Sequence, residues 1–297
     1  MLHKVAILIP TYKRSSSLLR LLKSIEKLES SNSYTVIVAD NDFYQQESFN
    51  MINKIKSDFN FHVDIIVVEN KNISLVRNML LTLAFEKYHC DAVAMIDDDE
   101  VVSSRWLDTL IKCQIQTDAD VIQGNTQPIF LDKKRKWMEK VSFYYRDLLL
   151  SNTEEINVST CNVFIVRRVY ESMKDQLFDL SFGLIGGEDT DFFHRAKRMG
   201  ISYFYCSDAL AYEFYDKKRA NIIWVLKRSF RVGRTNYRIF SNNNPAKLWS
   251  TIFILPFTIV RLGIFFWYPK LYIHYLIKMF RQIGIIFEGV RYSLNHR

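Results

Sequence analysis

The 297-residue sequence is poor in the residues that punctuate a chain: it holds nine glycines and five prolines, and no Gly/Pro/Ser-rich stretch that could serve as a linker. No low-complexity tract or internal repeat interrupts it, so most of the chain is expected to fold. Neither GxGxxG nor GxxxxGK[ST] follows any apolar run, which argues against a Rossmann dinucleotide site and a P-loop. Cys90, Cys113, Cys161 and Cys206 form no CxxC pair, and MLHKVAILIP leads straight into polar TYKRSSS rather than a secretory apolar segment. Reduced thiols and a cytosolic compartment follow as expectations. Acid is scarce at one end: residues 217–297 carry fifteen Lys/Arg against a single acid, Glu288, which leaves residues 1–216 net acidic within an overall charge of +8.

What is present is periodic. Apolar, β-branched runs recur as VAILI (5–9), TVIVA (35–39), VDIIVV (63–68) and AVAMI (92–96). Helical patterns separate them: Leu18, Leu21, Leu22 and Ile25 after an SSS cap; Phe49, Ile52 and Ile55; then Val76, Met79, Leu80 and Leu83. Repeated β-α units with continuously apolar strands predict a parallel sheet covered on both faces. Ligands of such sheets bind beyond the carboxyl ends of the strands. Pro10-Thr11, Asp40-Asn41-Asp42, Glu69-Asn70 and Asp97 to Glu100 fall there.

The stretch MIDDDE (95–100) places four consecutive carboxylates after a strand. They repel one another, and none favours a strand, so a cation is expected to complete the cluster. A solvated strand-end turn or an adventitious Ca²⁺ site is the plainer reading of that motif alone. Further on come a helix with Trp106, Leu107, Leu110 and Ile111, the strands VIQGN and NVFIV, and GGEDTDFFHRAKRMG. In the last of these, Gly186-Gly187 form a loop and Glu188-Asp189 open a helix, where the dipole favours anions. Gly200 ends that helix. Carboxylates at a helix start are often simple caps.

In order, VAILIPTYKR, VIVADND, NISLVRN, MIDDDEVVSSRWL, the QGN strand and GGEDTDFFHRAKRMG resemble a family 2 glycosyltransferase with the GT-A fold, over about residues 4–235. Within the family the likeness is to bacterial enzymes of exopolysaccharide, capsule or lipopolysaccharide assembly. The resemblance implies an α/β fold with a mainly parallel central sheet in a catalytic domain over 1–240; the hydrophobic and amphipathic pattern of 241–297 adds the expectation of a helical, membrane-associating region. It implies that Pro10, Thr11 and Asp40 hold the base and ribose of a nucleotide-diphosphate sugar, with Arg77 near the nucleotide. Asp97, Asp98 and Asp99 form the DxD motif that meets the donor, and Asp99, with Asp97, ligates Mn²⁺ or Mg²⁺. Asp189 is implied as general base, with Glu188 supporting or orienting the acceptor. Asn72 stands where many members carry Gly, and Asn tolerates a left-handed backbone next best.

The chemistry is coherent. A leaving nucleoside diphosphate needs its developing charge neutralised, and a hard divalent ion on one or two carboxylates does this. An attacking sugar hydroxyl needs one well-placed base, which predicts an inverting hexosyl transfer. A sugar-phosphate nucleotidyltransferase is the rival enzyme, but PTYKRSSS lacks the Gly-rich basic loop it requires. A glycan-binding or scaffold protein on the same fold is the non-enzyme rival, and it predicts loss of Asp99 or Asp189; both are present.

Residues 248–268 have transmembrane length but contain Pro256 and Arg261. In 271–288, Ile273, Leu276, Ile277, Phe280, Ile283 and Phe287 share one face, the pattern of an interfacial helix. A single crossing would place Lys270, Lys278 and Arg281 outside, against the positive-inside tendency, so re-entrant or surface-lying attachment to the cytoplasmic face of the plasma membrane is expected. Anionic lipid and a glycan or polyprenyl-linked oligosaccharide acceptor are the expected partners. No nucleic-acid motif is present.

Overall fold

The computed structural model describes residues 4–132, 134–145, 158–241 and 245–295. The chain forms two compact units. One is Met1–Ile129, Arg146–Leu184 and Glu188–Phe214; the other is Phe130–Tyr145, Ile185–Gly187 and Tyr215–Arg297.

The four apolar runs of the first unit are strands β1 (Val5–Thr11), β2 (Tyr34–Asp40), β3 (His62–Val67) and β4 (Ala92–Met95). They pair in parallel, with register Val5↔Tyr34 to Thr11↔Asp40, Thr35↔His62 to Asp40↔Val67, and Val5↔Ala92 to Leu8↔Met95. The remaining strands are β5 (Glu100–Val102), β6 (Val121–Phe130), β7 (Val163–Val166) and β8 (Tyr203–Tyr215). Strand β7 runs antiparallel to both β4 and β6, and β5 runs antiparallel to β8. The order is β3-β2-β1-β4-β7-β6-β8-β5. The parallel half is thus the half read from the sequence, and the whole sheet is mixed.

Alternation along β1 sends Val5, Ile7 and Ile9 to one face and Ala6 and Leu8 to the other. The first face is covered by α1 (Ser15–Ile25), through Leu18, Leu21, Leu22 and Ile25, and by α4 (Trp106–Thr117). The second is covered by α3 (Ile73–Thr82), α5 (Arg167–Met173) and α6 (Glu188–Arg198). Helix α2 (Glu47–Ile55) adds Ile52 to the first core. Each such side chain taken wholly from water contributes about 1.5–3 kcal/mol, and burial on both faces explains why the strands are unbroken apolar runs.

Two local expectations are corrected. Ser15, Ser16 and Ser17 lie inside α1, and its N-cap, Arg14, makes no side-chain cap bond. Asn72 is not left-handed: at φ −158° it is the extended N-cap of α3, and its side-chain oxygen accepts from Leu75 N at 3.1 Å. Asn is a favoured N-cap, so the residue that replaces Gly here does so for a capping reason.

The second unit is built on α7 (Ile222–Ser241), α8 (Pro245–Ile264) and α9 (Pro269–Asn295). Helices α7 and α9 meet backbone to backbone. A Cβ at Gly233 would lie 2.0 Å from Arg281 O, and one at Gly284 would lie 2.1 Å from Phe230 O. In α9, Gln282, Gly284, Ile285, Glu288 and Gly289 are buried in the packed bundle, whereas Ile283 and Phe287 of the apolar stripe stay exposed. Glu288 accepts from Arg234 Nε at 2.6 Å and Arg238 Nε at 2.7 Å. This consumes two of the four arginines of α7, Arg234 and Arg238, and leaves Arg228 and Arg231 outside the Glu288 pair. No helix among the described residues is long and apolar enough to cross a membrane.

Burial alone raises the Glu288 carboxyl pKa, but its two arginines outweigh that and hold it below the ordinary carboxylate value. The stability it contributes is therefore present above the unfolded pKa and lost as pH falls through the lower, folded one. Glu288→Gln should remove about 3 kcal/mol, the cost of leaving a buried ion pair half made. Urea melts at neutral pH should show the loss, and the difference from wild type should shrink in acid.

Candidate functional site

The carboxyl ends of β1, β2 and β4 bring the expected residues to one edge of the sheet, and two arginines organise them. The run MIDDDE ends β4 in a tight turn in which Glu100 N donates to Asp97 O at 3.1 Å and Asp97 N donates to Glu100 Oε2 at 3.0 Å. Arg14, just before α1, donates through one nitrogen to Asp98 Oδ1 at 3.0 Å and Asp99 Oδ2 at 2.9 Å. Thr11 at the end of β1 donates its hydroxyl to Asp98 Oδ2 at 2.8 Å. Burial first, then the neighbouring Asp99, push the Asp98 carboxyl up to about 6, against the pull of Arg14 and Thr11.

Arg77, buried on α3, is the second cation. It pairs with Glu188 at the start of α6, and its other terminal nitrogen lies 3.6 Å from Asp97 Oδ1. Burial by itself would lower the pKa of this guanidinium; Glu188, Asp97 and Asp189 reverse that and hold it above its ordinary value. For Glu188, burial is the largest effect and raises the carboxyl pKa, with Arg77 opposing it. Glu188 Oε2 and Arg77 Nε are buried without a hydrogen-bond partner. Asp189 is half-buried, and its Oδ1 accepts from Thr190 N at 2.7 Å. Asp191, in the same turn, is tied to Arg195 at 2.8 Å.

Asparagines fasten the loops around this edge. Asn41 donates to Val68 O and Asn70 O and accepts from Asn72 N. Asn78, beside Arg77, makes a reciprocal pair with the backbone of Phe178, 2.9 Å each way. Asn72 donates to Leu180 O at 2.9 Å. Side-chain amides suit this task because each offers a donor and an acceptor to irregular backbone.

The expected residues separate into three kinds. Thr11, Arg77, Asp97, Asp98, Asp99, Glu188 and Asp189 belong to linked clusters. Pro10 is a buried residue of β1 paired in register with Ala39. Asp40 is fully buried, and its oxygens accept from Asp42 N at 3.0 Å and Phe49 N at 3.1 Å. In this structure Asp40 braces the β2–α2 loop, and burial raises its pKa against those amides. The same loop exposes Phe43 and Tyr44. Arg14 is the residue that the sequence reading passed over; the signal was the basic pair closing PTYKR at the first strand end. Trp106, read as core, is wholly buried and donates its indole N–H to Asn162 Oδ1 at 2.7 Å. In the helical unit, Gly186 and Gly187 have φ +83° and +96°, and a Cβ on Gly187 would lie 2.8 Å from Thr235 Cβ. Both glycines are thus required by backbone and packing.

Comparison with known proteins places these residues in a family. Residues 3–235 match the family described as Glycosyltransferase like family 2. The succinoglycan biosynthesis protein ExoM of Rhizobium meliloti (strain 1021) is 31% identical over 206 residues, 69% of this chain. That stretch is 65% of ExoM, a little under two thirds of its length. Among solved structures, the mannosyltransferase PcManGT from Pyrobaculum calidifontis, in complex with GDP-Man and Mn²⁺, superposes at a TM-score of 0.65 with 15% identity, covering 99% of this chain and 88% of that one. S. aureus TarS 1–349 in complex with UDP-GlcNAc superposes at 0.56 with 14% identity, covering 98% and 92%. Against a longer TarS structure the match covers 77% of this chain and 39% of the other. At such identities these structures establish the GT-A fold. With its sheet and helices in that arrangement and more than two thirds of its length matched, the chain belongs to the glycosyltransferase like family 2.

Proposed function

We propose that the protein is an inverting, metal-dependent glycosyltransferase that moves a hexosyl group from a nucleotide-diphosphate sugar to a glycan acceptor in cell-surface polysaccharide synthesis. The observation that carries this reading is the Arg77 cluster. One buried guanidinium draws Asp97, from the β4 end, to Glu188 and Asp189, from the α6 start, so the residues expected to meet donor and acceptor share one charge network.

The donor set fits a hard divalent ion. Asp97 and Asp99 offer carboxylate oxygen from one turn, with neither sulfur nor imidazole among them. Among the described residues no group of three or more His, Cys, Asp or Glu forms a closed cage. That is the condition of Mn²⁺ or Mg²⁺ sites that take most of their ligands from substrate phosphates and water. An ion bound there supplies positive charge to the departing diphosphate. Asp99 and Asp97 would hold the ion, and Arg14, which pairs with Asp99 here, would then keep Asp98.

The other roles follow from burial. Glu188 is committed to Arg77 and orients α6; Asp189, half-exposed beside it, takes the proton from the attacking sugar hydroxyl. With one base on the acceptor side and the diphosphate leaving on the other, a single displacement inverts the anomeric centre. Thr11, Asp98 and Pro10 shape the donor edge, and Asp40 holds the adjoining loop. The relation to ExoM supports a bacterial surface polysaccharide, and GDP-Man and UDP-GlcNAc in the structural neighbours support a nucleotide-sugar donor. The acceptor is a glycan carried on a polyprenyl lipid, met at the cytoplasmic face of the plasma membrane. The direct test is release of nucleotide from a panel of UDP-, GDP- and dTDP-sugars with Mn²⁺; no release from any donor, with or without glycan acceptors, would sink the proposal.

Asp99→Asn should keep the fold and lose most metal and donor binding, because an amide is a far weaker ligand for a hard cation. Calorimetry with UDP and Mn²⁺ measures this, and EDTA should stop wild-type turnover. Asp189→Asn should leave donor binding nearly intact and lower kcat by roughly 10²- to 10⁴-fold, the usual share of a general base. A variant that transfers at the wild-type rate would reduce Asp189 to a helix cap. Arg77→Gln should destabilise the first unit by about 3–5 kcal/mol by stranding Glu188 in a buried site. Adding Glu188→Gln should restore part of that loss in a double-mutant cycle.

A further inference from the structure

We propose that the free surface of α8 is embedded in an anionic lipid bilayer, with the helix lying in the membrane interface rather than crossing it. The proposal concerns the helical unit alone and holds whether or not the transfer reaction is as described above.

Helix α8 is inside out. The stripe it turns toward its own bundle is Leu248, Thr251, Leu255, Thr258 and Leu262. Two of these five are threonines, both buried, and the Thr258 hydroxyl is spent on Ile254 O one turn back. The large apolar side chains point the other way: Phe253 is 71% exposed, Trp249 68%, Val260 60% and Phe257 56%. At 100° per residue the packed stripe covers about 80° of the helix circumference, and exposed apolar residues occupy most of the remaining arc, about 220°. A water-facing helix shows the reverse pattern. A protein partner would cover one further stripe of α8; only a fluid apolar medium covers so wide an arc.

The chemistry at the end of the helix selects the medium. After α8 the chain runs Phe265-Phe266-Trp267-Tyr268, with Trp267 82% exposed, and amphipathic rings of this kind settle at the boundary between headgroups and acyl chains. Apolar surface continues past Phe266 into a cavity of about 330 Å³ lined also by Trp137, Ile222, Pro269, Tyr272 and Ile273. Exposed Arg261 and Lys270 flank the aromatics. With fifteen basic residues against one acid over 217–297, the unit is matched to a negatively charged surface. Among the described residues no helix is long and apolar enough to span, and Pro256 inside α8 fits a helix that lies in the interface.

The test is sedimentation of the full chain, without donor, with phosphatidylcholine vesicles containing roughly one third phosphatidylglycerol. Wild type should bind and remain bound in high salt, because buried apolar surface is not screened as charge pairing is. Combined Phe253→Gln, Phe257→Gln and Val260→Gln should weaken binding by about tenfold or more. These positions are exposed and Gln is a good helix former, so the far-UV spectrum and melting point should hold. Brominated lipid should also quench the tryptophan emission of the unaltered protein. Absence of vesicle binding, or binding unchanged by the three substitutions, overturns the proposal. So does a concentration-dependent dimer in the ultracentrifuge that the substitutions dissolve, since the face would then belong to a second copy.

Discussion

The buried guanidinium of Arg77 is the interaction on which the rest of the site depends. It sits on α3, beneath the edge of the sheet, and its charge would be intolerable there without partners. Glu188 and Asp97 supply them, and in doing so fix the end of β4 against the start of α6. Those two elements are far apart in sequence, and they also share one apolar core, with Val93 and Met95 of β4 and Phe192 and Phe193 of α6 buried in the same cluster. The electrostatic demand of one residue therefore adds to what the hydrophobic core does beneath it. Asn78, the next residue, extends the same fixing to the Phe178 segment through two backbone bonds.

The four-acid run after β4 is resolved by division. Asp97 goes to Arg77, Asp98 and Asp99 share Arg14, and Glu100 folds back on the amide of Asp97. The four thus have three positive or donor partners among them, Arg77, Arg14 and the Asp97 amide, which is how a run of like charges can be held in a tight turn. Burial still leaves Asp98 with a raised pKa, so the cluster is held together against its own repulsion.

The helical unit follows a different rule. Two glycines let α7 and α9 touch backbone to backbone, and Glu288 neutralises two arginines at the same interface. These contacts make a specific pair, and α8 is then added with its threonines inward and its phenylalanines outward. Polar contacts inside and apolar surface outside are what an apolar surrounding selects, since there hydrogen bonds favour the interior and hydrocarbon favours the exterior.

Much of this was legible in the sequence. Continuous apolar runs at regular spacing gave four parallel strands, because a strand buried on both faces has no polar side to show. The ordered motifs placed Asp97, Asp98, Asp99, Glu188 and Asp189 at the strand and helix ends where they are found. Local pattern could not reveal the partners, since Arg14 with Asp98, Arg77 with Glu188 and Glu288 with Arg234 are separated by 84, 111 and 54 positions. The same limit explains the misreading of Asn72. Asn72 became a cap because its partners, Leu75 N and Leu180 O, are set by the fold around it and not by the residues on which the reading rested. Sequence alone determined which segments are apolar, how they repeat and where acid gathers, for these are properties of consecutive residues. Tertiary structure alone decided which charge meets which and which face of α8 is left uncovered, because burial and pairing exist only between segments that folding has brought together.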